Sequence, residues 1–406
     1  MNGVIMAKTG IAVALGLSLA ACAAGAPEDR LNFERTPNTI ARDTVGTPQF
    51  LFGSAGDIEM IAAVERGGLA HLEAFSSRSQ GDTFVDEGPV SPVGANIDAT
   101  GESSPRLAMD RNELLYALWR QDRPPTQLFV AVHDWRTGKY SKPIPVRDVG
   151  ARGFAGFGDL AVGRDESVYF VWLDERNLKQ SSDSSAVYFA ALENGHVSRN
   201  VLVASSTCSC CRPAVAVADD GTIYVAWRHD NHDLRDMAVA ASHDGGRTFS
   251  AMHYVAHDGW RLHGCPESGP SILVAGRRLY VAWFTQGADA RPRVLLAHSD
   301  DDGVTFTTPI EVSAPTLDAN HPRLFATKPS GVAVVFQARD PQSGGWSHLV
   351  PYLAQVRNDG TATVPRPIAA PGASDATYPY AVARDAQSTF VGYTLGSQAA
   401  LLRGRP

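Results

Sequence analysis

The sequence predicts an all-β fold, a closed ring of seven β-propeller blades, and three observations predict it. An apolar strand, a polar turn and a β-branched, aromatic-rich second strand recur seven times. The first strands start near Gln49, Arg106, Asp159, Ala214, Ser271, Arg323 and Tyr380, at spacings of 57, 53, 55, 57, 52 and 57 residues. A period near 55 residues suits a blade of about four strands. Finally, six of the seven starts follow a proline, namely Pro48, Pro105, Pro213, Pro270, Pro322 and Pro379. Proline is tolerated at a strand's first residue, where no ladder N–H is lost. A six-bladed ring is the alternative if the first unit is irregular.

From the N-terminus, residues 1–21 read as a signal peptide. Lys8 is the one early positive charge, and Ile11 to Ala21 is an apolar run too short to span a bilayer but suited to an h-region. It ends in Leu19-Ala20-Ala21-Cys22, which resembles the lipobox of bacterial lipoproteins. That resemblance implies lipidation of Cys22, with Ala23 after it implying the outer membrane, on its periplasmic or surface face. Residues 22–46 are then a lipid-anchored segment, with 31–35 placed to supply the outer strand of the last blade, and 47–406 form the propeller. Beyond the lipid no membrane contact is expected. A net charge of −7 over 406 residues gives no reason to expect nucleic acid.

Within the units, Trp119, Trp172, Trp227 and Trp283 end second strands, a position for packing between blades. Further along, Ser242-His-Asp244-Gly-Gly246-Arg-Thr248-Phe249 and Ser299-Asp-Asp301-Asp-Gly303-Val-Thr305-Phe306 repeat in phase, with a degenerate copy at Ser77 to Phe84. Such a segment is a hairpin turn in which Asp accepts backbone N–H groups and Gly takes positive φ. These turns match the Asp box, and the chain resembles the sialidase and BNR-repeat propeller superfamily over nearly all of the mature part. The resemblance implies that the Asp boxes are structural and lie away from the binding cleft. Sialidases have six blades, so seven is a departure.

Function is expected on the face where each blade is entered. The loops leading into blades 4 and 5 hold Cys208, Cys210, Cys211, His263 and Cys265, and the second-to-third connection of blade 4 holds Arg228, His229, His232, Arg235 and Asp236. Register alone brings these together. Three readings stand: disulfides stapling two loops; a copper or zinc site using thiolates with His263, His229 or His232; or one bridge with free thiols. His321 belongs to the same candidate ligand-binding face. The sialidase resemblance implies a carboxylate-clamping arginine triad, a Tyr–Glu nucleophile pair and an Asp acid/base. Arg106, Arg212 and Arg323 are placed for the triad, Tyr378 or Tyr380 with Glu267 for the nucleophile, and Asp159 for the acid/base. The Arg-Ile-Pro motif of sialidases is absent. No P-loop, dinucleotide fingerprint, G-x-S-x-G or H-E-x-x-H motif occurs. The expected function is recognition of a glycan or partner protein outside the cytoplasm. Sialidase-like hydrolysis and a metal or thiol role are the alternatives.

Overall fold

A computed structural model describes Met1, 32–34, 38–40, 43–92, 94–122, 127–134, 138–177, 185–327, 331–343, 348–357, 359–369 and 374–405. The signal segment and Cys22 lie outside the described residues. The described strands from Asn32 to Arg405 form seven antiparallel sheets and two short 3-10 turns. The fold is all-β, a seven-bladed propeller.

Blade 4 shows the pattern most simply. Its strands Ala214–Val217, Ile223–Arg228, Met237–Ser242 and His253–Tyr254 pair in sequence order. The second strand, IYVAWR, is buried along its whole length. This is the signature of a strand covered on both faces, by the blades before and after it. Seven apolar clusters follow from this arrangement, one at each interface of neighbouring blades, including that between blade 7 and blade 1. Trp119, Trp172, Trp227 and Trp283 each sit in one of them and are at most 1% exposed. Truncating one to Ala removes a blade contact worth about 3–5 kcal/mol.

Blade 7 closes the ring. Its strands Ala376–Asp385, Ser388–Leu395 and Gln398–Arg405 are completed at the outer edge by Asn32–Phe33, with Asn38–Thr39 on the same strand. The chain's two ends therefore share one sheet, which removes an exposed edge.

The first strands depart from expectation in an informative way. In blades 1, 3, 6 and 7 they begin earlier, as Thr44–Phe52, Ala155–Val162, Asp318–Thr327 and Ala376–Asp385. Each is broken by a bulge after which pairing resumes at Gln49, Asp159, Arg323 and Tyr380. Pro48, Pro322 and Pro379 fall in the interruption because they have no N–H for the ladder. Two residues before the restart, Phe157, His321 and Tyr378 all take φ of 51–53°. Left-handed backbone at such side chains costs about 1–2 kcal/mol each.

The two full Asp-box turns are superimposable in their bonding. Ser242 Oγ accepts the Gly246 N–H at 2.9 Å, and Asp244 accepts the Thr248 N–H at 3.0 Å and its hydroxyl at 2.6 Å. Ser299, Asp301, Gly303 and Thr305 repeat these contacts. In the degenerate copy Ser79 stands in for Asp and accepts the Thr83 N–H at 2.9 Å. The hydrogen bonds hold Asp244 and Asp301 at about 2, below the usual carboxylate range. Their lone pairs are spent on the turn.

Candidate functional site

The lead-in segments of blades 2, 3, 4 and 6 bring five charged groups together. At the centre is Glu102, in the 3-10 turn Gly101–Ser103 that leads into blade 2, with its side chain 1% exposed. Its Oε1 lies 3.4 Å from Arg323 Nη2 and 3.9 Å from His321 Nε2. Arg212, 2% exposed, donates from Nη2 to the Glu102 carbonyl and, at 3.0 Å, to the Ser104 carbonyl. Arg106 sits beside them, with Nε 3.2 Å from Asp159 Oδ1 and Nη1 donating to Gln49 Oε1 at 3.2 Å. Asp159 Oδ2 in turn accepts the Val215 N–H.

Burial pushes the Glu102 carboxyl up, but Arg323, Arg212, His321 and Arg106 outweigh it and hold the group below its ordinary value. Glu102 is therefore an anion in the interior, stabilised by three guanidiniums. Burial, then repulsion from Arg106, depresses Arg212 well below the usual arginine range. Glu102 Oε2 and Arg212 Nε are buried without a hydrogen-bond partner among the described residues.

His321 is also pushed down, chiefly by burial. Its Nε2 lies 2.7 Å from the Glu267 carbonyl, which can only accept, so Nε2 carries the proton. Its Nδ1 is 2.9 Å from Asn320 Oδ1, so Nδ1 is satisfied as an acceptor with the amide turned to present its NH2 there. Both ring nitrogens are thus engaged. The ring packs edge-on against Tyr378, 4.5 Å between centroids, and the Tyr378 hydroxyl lies over Gly101, where any side chain would collide with it. Burial pushes Tyr378 and Tyr380 up to about 12. Neither phenol hydrogen-bonds a carboxylate among the described residues.

The sequence-derived residues therefore divide. Arg106, Arg212, Arg323, Asp159, His321 and Tyr378 converge. Glu267 contributes its carbonyl, while its side chain belongs to an exposed residue. Glu102 and Gln49 were missed. A signal for Glu102 exists: Glu102-Ser-Ser-Pro105 and Glu267-Ser-Gly-Pro270 are the same pattern in two lead-in loops. One carboxylate is buried at the centre and the other faces solvent.

The blade 4 and 5 residues form a second, adjoining group. Arg228 is fully buried and donates to the carbonyls of Ser268, Arg235 and Phe284 while lying over the Trp260 ring. Arg235 pairs with Asp230 at 2.6 Å and reaches the Leu262 carbonyl. Asp236 accepts the Asp258 N–H at 3.0 Å. These side chains hold two loops together and leave little for a ligand. His229 is partly buried and pushed down by burial, against Tyr254. His232 is exposed beside Asn231.

Cys210 and Cys265 form a disulfide, with Cα atoms 6.2 Å apart and 55 positions apart in sequence. It joins equivalent points of consecutive blades. Cys208 and Cys211 are buried free thiols. The sulfurs of Cys208, Cys210 and Cys211 lie within 4.8 Å of one another. With Cys210 bonded, only two thiols remain, and His263 is 97% exposed with its ring turned to Asp233. This donor set does not fit a copper or zinc centre in the disulfide state.

On the opposite face an open cavity of about 800 Å³ lies between blades 2, 3 and 4. Asp110, Asp165 and Asp244 in its lining are engaged by their own turns. No comparable convergence of free groups occurs there among the described residues.

No protein-family model matches the chain, and no curated protein matches it. Solved structures do. A Hadza microbial sialidase aligns with a TM-score of 0.51 at 12% identity, covering 83% of this chain and 73% of that one. The alpha-L-arabinofuranosidase Arb93A of Fusarium graminearum gives 0.52 at 12%, covering 80% and 97%. A polysaccharide lyase described as a PL25 ulvan lyase gives 0.51 at 12%, covering 75% and 80%. At these identities the likeness is one of fold.

Proposed function

We propose that the face around Glu102 recognises an anionic saccharide, on an exported chain tethered to the outer membrane through a lipid on Cys22. The observation that carries this reading is the convergence of Arg106, Arg212 and Arg323 with only two carboxylates, Glu102 and Asp159, among them. The cluster carries one positive charge in excess. Among the described residues Arg323 makes one side-chain hydrogen bond, at 3.4 Å to Glu102, and keeps 15% of its side chain exposed. Its other N–H donors have no partner among the described residues and can take a carboxylate, the group that a guanidinium fork fits best. The sialidase, arabinofuranosidase and ulvan lyase of like fold add support for a sugar ligand.

Hydrolysis through a tyrosine nucleophile is less well supported. Phenols pushed up to about 12 and lacking a carboxylate partner are not activated. His321, with both nitrogens occupied, is held as a positioning residue rather than a free base.

A glycan array probed with the purified protein tests the reading. Binding confined to uronate- or sialate-bearing saccharides is expected. Binding only to neutral glycans, or to none, overturns it. Sodium carbonate extraction of Cys22→Ser cells tests the tether: the variant leaves the membrane fraction if the lipid holds it.

A further inference from the structure

Beside the saccharide site, the cysteine group has the parts of a chemical device. The Cys210–Cys265 bond runs from a buried floor to an exposed loop, since Cys208, Cys210 and Cys211 are buried and Cys265 is exposed. Cys208 Sγ lies 3.7 Å from Cys210 Sγ, near van der Waals contact between a free sulfur and a bonded one. Around it stands a buried cation: Arg228 is fully buried, all its hydrogen bonds among the described residues go to carbonyls, and its charge also acts on Asp258. Cys208 is bound to the same residue through its backbone, its N–H donating to the Arg228 carbonyl at 2.9 Å.

We propose that Cys208, Cys210 and Cys265 form an internal thiol–disulfide relay that carries a reactive thiolate from the buried floor to the surface at Cys265. The Cys208 thiolate attacks Cys210 Sγ. A Cys208–Cys210 bond forms, the Cys210–Cys265 bond breaks, and its electron pair leaves on Cys265 Sγ as thiolate. The step is an isomerisation, so no external oxidant or reductant enters. The neighbouring Cys211 thiol, then the Arg228 charge, the Cys210 backbone and the Arg235 charge, bring Cys208 down to about 7 against the opposing effect of burial. Cys211 itself is pushed up by burial and stays a neutral donor. The surface product is a site of thiol modification by soft electrophiles or aliphatic disulfides. It sits two residues from Glu267, whose carbonyl binds His321, so release of the loop also loosens one support of the Glu102 cluster.

Iodoacetamide labelling of the native protein, followed by acid quench and peptide mapping, tests the relay. Two free thiols are expected among Cys208, Cys210, Cys211 and Cys265. Carbamidomethyl label should accumulate on Cys265, with Cys210 then bonded to Cys208, and the rate should rise through pH ~7 as Cys208 ionises. Cys208→Ser should slow Cys265 labelling by at least about tenfold, and Cys211→Ala should move the pH midpoint upward. Because the mapping of the wild-type protein is decisive by itself, a variant that fails to fold does not spoil the test. Cys265 unlabelled between pH 6 and 9, or a Cys208–Cys211 disulfide leaving no thiols, overturns the proposal. So does labelling that needs a metal chelator.

Discussion

Replacing Glu102 by Gln removes one charge from the interior and leaves the shape almost unchanged. The carboxylate is 1% exposed and faces Arg323 at 3.4 Å, with Arg212, Arg106 and His321 contributing to its field. Without it, the 2% exposed Arg212 and its two neighbours repel one another with only Asp159 left in opposition. Breaking a buried charge cluster by removing one partner costs about 3–5 kcal/mol. Urea unfolding of wild type and Glu102→Gln should show that loss at pH 7 as a lower midpoint with an unchanged slope. The sign of the pH dependence follows from the lowered carboxyl. Its contribution is complete above the unfolded value, near 4.3, and is lost as pH falls through the lower folded value. The gap between the two proteins should therefore narrow below pH ~4. A variant as stable as wild type within about 0.5 kcal/mol, or a gap that persists unchanged at pH 3, would refute the assignment of Glu102 as the counter-charge of the cluster.

Other outcomes are expected elsewhere in the fold. Gly246→Ala places a Cβ into the Phe189 ring at a residue with φ of 83°; thermal unfolding should report a loss of about 2–4 kcal/mol, and a neutral result would contradict the turn's role. Cys265→Ser removes a bridge spanning 55 residues and should cost about 2–4 kcal/mol in denaturant, an effect that vanishes if the wild-type bond is absent. Arg228→Met leaves the Ser268, Arg235 and Phe284 carbonyls without their donor and should lower stability by about 1–3 kcal/mol, while raising the pH at which Cys208 ionises; iodoacetamide kinetics would expose the opposite shift.

The sequence made the ring readable because its signals are local and periodic. Gln49, Asp159, Arg323 and Tyr380 mark where pairing resumes after a bulge, and the proline before three of them is the physical reason the strand stops there. The tryptophans were readable as interior residues because a second strand covered on both faces has no polar alternation. What was hidden lies in the lead-in loops. Glu102 and Glu267 stand in the same short pattern, yet only the three-dimensional path decides which one reaches the axis. Left-handed backbone at Tyr378 is likewise invisible to propensity, since an aromatic residue does not favour it. Arg228 and Arg235 read as ligand-binding candidates, but they are spent on loop carbonyls and on Asp230. Surface and interior arginines look alike until their partners are known.

The claim that most needs a direct test is that the Arg106–Arg212–Arg323 cluster recognises a carboxylate on a sugar. Isothermal titration of wild type and Arg323→Gln with a uronate oligosaccharide, alongside its carboxyl-reduced neutral counterpart, isolates that one interaction. The account predicts that only the acidic sugar binds wild type, and that Arg323→Gln loses about 1.5–3 kcal/mol, the worth of a charged hydrogen bond. Equal binding of the acidic and neutral sugars, or an Arg323→Gln protein that binds as wild type does, would contradict it.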